Sequence, residues 1–267
     1  MVNVKSNTKQ KILNQLKNSP SWLSGEEISR NIAVSRVAVW KQIKSLQEQG
    51  YPIESSSRGY RIAADGDFLT DLEFSAHKDI LFYNELNSTM DEAVRQINLQ
   101  PRESRTFTIL AEHQSAGIDR ADGLWDSPSG GIYMTFVIRE TLALDSVDIM
   151  KKRGILTALE TLSTLQGIEK ESLSFSEEGE LFLKERKIGG LLEEYQVRGD
   201  KILWYALGLG IHLNDSPPPP LSSVKIYSNR EQNRVSVIKK LKTIWESFQT
   251  TENKEIIYKL ENNYVKR

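Results

Sequence analysis

Two serines, Ser24 and Ser35, do more than any other residues to fix how the first sixty positions of this chain fold. Ser24 opens the run Ser24-Gly25-Glu26-Glu27, in which the serine hydroxyl accepts from the backbone and Glu27 reaches back, so a short helix starts there. Ser35 follows the Ala33-Val34 turn as the next cap, and Val39, Ile43 and Leu46 then recur at helical spacing as far as Gly50. Upstream, Thr8 to Leu16 carries Ile12, Leu13 and Leu16 on one face, and Pro20 closes that segment. Downstream, Tyr51–Glu54 and Gly59–Ile62 are strand-like runs around Ser55-Ser56-Ser57-Arg58, which predicts a hairpin. Three helices and a two-stranded wing make a winged helix-turn-helix over residues 1–62.

Charge separates this segment from the rest. Residues 1–62 hold ten Lys/Arg against four Glu, a balance of +6, whereas the remainder holds 25 basic against 32 acidic residues, a balance of −7. A basic module ahead of a mildly acidic one points to nucleic acid for the first. In a winged helix the third helix enters the major groove with its N-terminal residues against base edges. That makes Ser35, Arg36, Lys41 and Gln42 the DNA-binding candidates on the helix, with Arg58 reaching phosphate from the wing tip. The same residues also read as solvated charges on an interaction module.

The 267 residues suffice for about two domains. Residues 63–67 are a polar, glycine-bearing linker, and 68–267 form the larger domain. Strand character marks Ile80–Tyr83, Phe107–Ala111, Ile132–Arg139, Leu181–Leu183, Ile188–Glu194 and Ile202–Leu213. Helical periodicity marks Met90–Ile97, Asp148–Leu165, Val235–Phe248 and Lys254–Val265, and Pro217–Pro220 reads as a rigid extended spacer. A mixed sheet backed by helices, an α+β domain, is the economical architecture. With no cysteine, disulfides, thiolate metal sites and cysteine nucleophiles are excluded, and the three histidines (His77, His113, His212) are scattered. No apolar run reaches the ~18 residues of a membrane span and the opening lacks a signal-peptide core, so a soluble, cytoplasmic protein without membrane association is expected.

The run from Gly25 to Ile62 resembles the DNA-binding domain of the biotin operon repressor family. Five motifs then follow in order: Asn87–Ala93, Ala111–Gly117, Trp125–Tyr133, Arg186–Glu193 and Gly208–Ile211. Together they resemble the catalytic domain of the biotin protein ligases, placed as in the bifunctional ligase-repressors, although the usual small C-terminal SH3-like domain does not follow. The resemblance implies a reaction in which the biotin carboxylate joins the α-phosphate of ATP and biotin then passes to a lysine of a biotin carboxyl carrier protein. It implies biotin, ATP and Mg²⁺ as ligands, operator DNA as a partner, and a homodimer. Ser88, Thr89 and Gln114 match positions that hydrogen-bond the biotin ureido ring, while Ser88 and Thr89 also read as a helix cap. Gly117, Trp125, Gly190 and Gly208 match the rest of the biotin pocket. Lys187 and Arg120 match catalytic cations facing carboxylate and phosphate, His212 and Asn214 fall on the nucleotide side, and Asp119 or Glu180 could hold Mg²⁺.

Three departures concern the phosphate side. The family loop GRGRxGRxW is here Gly117-Ile118-Asp119-Arg120-Ala121-Asp122-Gly123-Leu124-Trp125, so its net charge is −1 and only Arg120 is cationic. The KWPND motif is Ser176-Glu177-Glu178-Gly179-Glu180, and the asparagine of GxGIN is His212. Two readings stay open: a ligase-repressor with rearranged groups, or a biotin-sensing repressor with impaired adenylation. A third, a ligand sensor or ligase for another acyl acid such as lipoate, has less support, because an octanoyl-transfer cysteine and the RRxSGGG stretch of lipoate ligases are both absent.

Overall fold

The computed structural model describes residues 4–19, 21–62, 69–99, 106–119 and 123–267. The chain divides into two compact units, Met1–Phe68 and Leu69–Arg267. Pro20 and the expected linker at 63–67 lie outside the described residues.

The smaller unit holds α1 (Val4–Lys17), α2 (Gly25–Ile32), α3 (Arg36–Glu48), β1 (Ile53–Ser56) and β2 (Gly59–Ile62). Both caps form: the Ser24 hydroxyl accepts from the Glu27 amide at 3.1 Å and the Ser35 hydroxyl from the Ala38 amide at 3.2 Å. Ile12, Leu13, Leu16, Ile28, Val39, Ile43 and Leu46 are buried, as the helical spacing requires. The wing pairs Ile53 with Ile62, and a bridge from Leu23 to Tyr60 adds to it. The first wing strand starts two residues later than the sequence predicts. Tyr51 is buried, and its amide bonds to the Leu46 carbonyl at the end of α3, which takes it out of the ladder.

The larger unit begins with β3 (Ile80–Leu86), α4 (Thr89–Leu99), β4 (Phe107–Ile118), β5 (Leu124–Ser127), β6 (Ile132–Ile138) and β7 (Leu142–Ala143). It continues with α5 (Val147–Leu162), β8 (Leu173–Phe175), β9 (Glu180–Leu183), β10 (Arg186–Arg198) and β11 (Lys201–Ile211). It closes with α6 (Val224–Ser228), α7 (Arg234–Thr250), α8 (Asn253–Asn263) and β12 (Val265–Lys266). The strands form one mixed sheet in the order β12-β8-β9-β10-β11-β6-β4-β3, with β5 on β4 and β7 on β11. Among the described residues only β3–β4 and β12–β8 are parallel, the first pair joined across α4. One sheet face packs Leu110, Phe136, Leu191, Leu207 and Leu209 into a large core that includes α5 and α7 residues such as Leu156, Leu159, Ile238, Leu241 and Trp245. The opposite face packs Phe107, Ile109, Val137 and Ala206 beneath α4.

The end of α8 and the proline run differ from the sequence expectation. The last helix ends at Asn263, because Tyr264 is buried with its hydroxyl on Glu160 at 2.9 Å and Val265 pairs with β8. Pro219 and Pro220 form a turn instead of continuing an extended spacer, and the Leu221 amide bonds to the Pro218 carbonyl. Among the described residues no helix is long and apolar enough to cross a membrane.

Helix α4 is tied to β3 by one carboxylate. Glu92 accepts from Arg95 Nε and Nη2, both at 2.6 Å, from the Tyr83 hydroxyl at 2.7 Å and from Gln96 at 2.8 Å. The Arg95 hydrogen bonds, against the opposing effect of burial, hold the Glu92 carboxyl at about 2 instead of its ordinary 4.5. A depressed carboxylate contributes stability that is complete above the unfolded value and is lost as pH falls toward the folded one. Urea unfolding should therefore show wild type losing more stability than Glu92→Gln between pH 4.5 and 2; parallel pH slopes would show that this carboxylate does not anchor α4.

Candidate functional site

The cleft arises from the pleat of β10, β11 and β6. Gly190 lies opposite Gly210, Leu192 opposite Gly208, and Gly208 opposite Thr135. Alternation sends Leu191, Leu207, Leu209 and Ile211 into the helix-covered core. Gly190, Gly208 and Gly210 therefore share the other face, where the missing side chains leave a floor of bare backbone. Trp125 lies over that floor, so close that a Cβ on Gly210 would sit 2.8 Å from the indole Nε1.

The rim is built by a chain of hydrogen bonds. The Thr89 amide, at the start of α4, donates to Gln114 Oε1 at 2.7 Å, Gln114 Nε2 donates to the Ser127 hydroxyl at 2.9 Å, and that hydroxyl donates to the Trp125 carbonyl at 2.9 Å. Thr135 donates to the Thr89 hydroxyl from the floor at 3.0 Å. Ser88 caps α4 by accepting from the Met90 amide at 3.1 Å, and it also faces the cleft. Gly117 follows the point where the β4–β5 register shifts. A Cβ there would lie 2.5 Å from both the Trp125 carbonyl and the Ser127 hydroxyl, so only glycine lets the two strands close.

Ionisable groups gather at one end. Lys187 Nζ lies 5.2 Å from the Trp125 ring, 2.9 Å from Glu180 and 3.4 Å from Asp119. Beyond the indole, the His212 ring stacks at 4.7 Å, and its Nδ1 lies 2.5 Å from Asp215 Oδ2 with both side chains buried. His212 Nε2 and Trp125 Nε1 are buried without a hydrogen-bond partner among the described residues. Asn214 is committed elsewhere: its amide group exchanges hydrogen bonds with the Gln232 backbone at 2.8 and 2.9 Å. Arg120 and Asp122 lie outside the described residues. Among those described, no group of three or more His, Asp or Glu converges to hold a metal. Asp119 and Glu180 nonetheless fit Mg²⁺ arriving on a triphosphate, which needs only one or two carboxylates beside the phosphate oxygens.

Comparison with known proteins assigns both units. An HTH domain profile matches residues 8–61, and that of the biotin/lipoate A/B protein ligase family matches residues 82–212. The bifunctional ligase/repressor BirA of Bacillus subtilis (strain 168) is 28% identical over 208 residues, 73% of this chain and 62% of that protein. Residues 82–212 thus carry the biotin/lipoate A/B protein ligase signature behind an HTH domain, and the chain as a whole is similar to the BirA ligase/repressors. BirA of Bacillus spizizenii aligns equally well, at 28% over 204 residues and 61% of its length, so the chain spans about three fifths of these curated relatives. The fold is shared with the biotin protein ligase of Leishmania major in complex with biotinyl-5-AMP (TM-score 0.59, 17% identity, 70% of this chain and 82% of that one). The biotin protein ligase of Aquifex aeolicus in complex with biotin and ATP also shares it (TM-score 0.55, 20% identity, 70% and 79%).

Six of the seven residues that the resemblance assigns to biotin (Ser88, Thr89, Gln114, Trp125, Gly190 and Gly208) line one cleft, and Gly117 supports its wall. Sequence reasoning missed Ser127, Thr135, Gly210 and Asp215. The signal for Thr135 was its place among the apolar residues of β6, and for Asp215 its spacing three residues after His212. In the small unit Arg36 and Lys41 are exposed and Gln42 is half-buried. Ser35 caps α3, and Arg58 lies on the wing with its guanidinium 4.8 Å from the Trp22 ring.

The two cleft glycines Gly117 and Gly190 should respond differently to one methyl group. Gly117→Ala drives a Cβ into backbone and should destabilise the larger unit by about 1–3 kcal/mol. Gly190→Ala meets nothing nearer than 3.9 Å, so stability should change by less than about 0.5 kcal/mol. Equal losses in urea titrations would show that the wall at Gly117 has more room than this packing allows.

Proposed function

We propose that this chain is a biotin-responsive, DNA-binding regulator that activates biotin slowly as biotinyl-AMP. The winged helix (1–62) binds operator DNA, 63–67 link, and 68–267 bind biotin. The observation that carries the reading is the convergence of Ser88, Thr89, Gln114 and Trp125 over the glycine floor. Neutral hydrogen-bonding groups at one end suit an amide-like ureido ring, and the indole beside bare backbone suits an apolar tail.

Adenylation requires a biotin carboxylate oxygen to attack the α-phosphorus while the bond to pyrophosphate breaks. Two anions must meet, so fixed positive charge is needed. Lys187 is placed for that, yet Glu180 and Asp119 already balance its charge, and it must leave them to serve a phosphate. The loop offers Arg120 between Asp119 and Asp122, with Ile118 and Gly123 where the family carries arginines. Each charge-assisted hydrogen bond to phosphate contributes roughly 1.5–3 kcal/mol, so two lost arginines slow the step by powers of ten. Mg²⁺, held by Asp119 or Glu180, would supply charge neutralisation to a bound nucleotide.

Calorimetric titration should show biotin binding, weakened by about 1–3 kcal/mol in Gln114→Ala through unpaired polar groups. Biotin-dependent pyrophosphate release should be slow, should vanish in Lys187→Ala, and should rise in Ile118→Arg/Gly123→Arg. Rapid wild-type release with labelling of a biotin carboxyl carrier protein would replace this reading with that of a full ligase-repressor, which the position of Lys187 beside Trp125 favours. Binding of lipoate in preference to biotin would overturn the ligand.

For the small unit, the +6 balance calls for duplex affinity that falls steeply with salt. A homodimer would match a palindromic operator. Arg36→Ala should erode discrimination between operator and random DNA, and Arg58→Ala should weaken both alike. Affinity insensitive to salt would remove the DNA-binding half of the proposal.

A further inference from the structure

Helix α3 turns Val39, Ile43 and Leu46 inward and leaves two large apolar side chains outside: Val37 is 63% exposed and Trp40 51%. They are not isolated. Arg36, Val37 and Trp40 line one groove of about 470 Å³ with Ser55, Ser56 and Ser57 of the wing. Cations flank this strip, with Arg36 exposed at the first turn, Lys41 exposed beyond, and Lys44 Nζ 5.6 Å from the Trp40 ring. A small unit with a balance of +6 thus presents an apolar ridge between positive margins.

A DNA major groove offers the complementary arrangement: phosphate walls on either side of a floor whose one apolar group is the thymine C5-methyl. We propose, resting on the DNA-binding reading above, that Val37 and Trp40 read thymine methyls, making this helix selective for A·T pairs at the positions they cover. Arg36 and Lys41 hold the helix against base edges and phosphate, and Val37, one residue into α3, is at the end of the helix that enters deepest.

The test uses the full chain and a random-sequence duplex library. Sites enriched by the wild type should hold A·T pairs at defined positions. Replacing thymine by deoxyuridine at those positions, which deletes only the methyl, should weaken binding about fourfold per methyl, the value of one buried carbon. Val37→Ala should bind the thymine duplex less tightly and lose most of the difference between thymine and deoxyuridine. Wild type that binds deoxyuridine and thymine duplexes equally overturns this proposal while leaving DNA binding intact. Failure to enrich any duplex overturns both.

Discussion

The larger unit rests on a single constraint: three neighbouring strands must be apolar on one face and, where the cleft lies, present glycines on the other. Leu207, Leu209 and Ile211 alternate with Gly208 and Gly210 along β11, so the residues that anchor the sheet to α5 and α7 also force the glycines to the opposite side. Burial of the leucines supplies the stability, and the glycine face supplies the space. Everything else in the cleft depends on that division. Trp125 can approach the sheet this closely because Gly210 has no Cβ, and Gln114 can bridge Thr89 and Ser127 because Gly117 lets β5 close on β4.

The sequence disclosed those parts that local rules control. Caps at Ser24 and Ser35, the Val39/Ile43/Leu46 stripe and the long strands all follow from one-dimensional patterns. It did not disclose parts that depend on distant partners. The strand β8 is three residues long and exists through its pairing with β9 and β12. Strand β4 runs on through Glu112–Gln114 despite its polarity, because β3 continues beside it. In the cleft, family resemblance singled out residues that line it, whereas Ser127, whose hydroxyl links Gln114 to the Trp125 carbonyl, carries no signature of that contact.

Charge at the cleft end has two layers. Near the opening, Lys187 is matched by two partly exposed carboxylates, which water and salt can weaken. Below, His212 and Asp215 form a pair removed from solvent, with the His212 ring stacked on the indole. The upper group can rearrange at small cost. The lower pair cannot, since separating it would leave buried polar groups unpaired. Trp125 lies between an adjustable group and a fixed one.

The parallel contact between β12 and β8 bears on how such a chain is made. All the pairings of the winged helix lie within about sixty residues, whereas the open edge of β8 waits for Val265, some ninety residues further on. Local contacts form early and distant ones late. On the ribosome the small unit can be complete while the sheet still presents a bare strand edge, the kind of surface that recruits other strands. When Arg267 arrives, its side chain bonds to Ser174 and Glu185 and its amide to the Phe175 carbonyl, sealing that edge from outside. Residues 265–267 thus close the β8 edge, so the pairing of the sheet is complete only when a segment some ninety residues distant has folded back onto it.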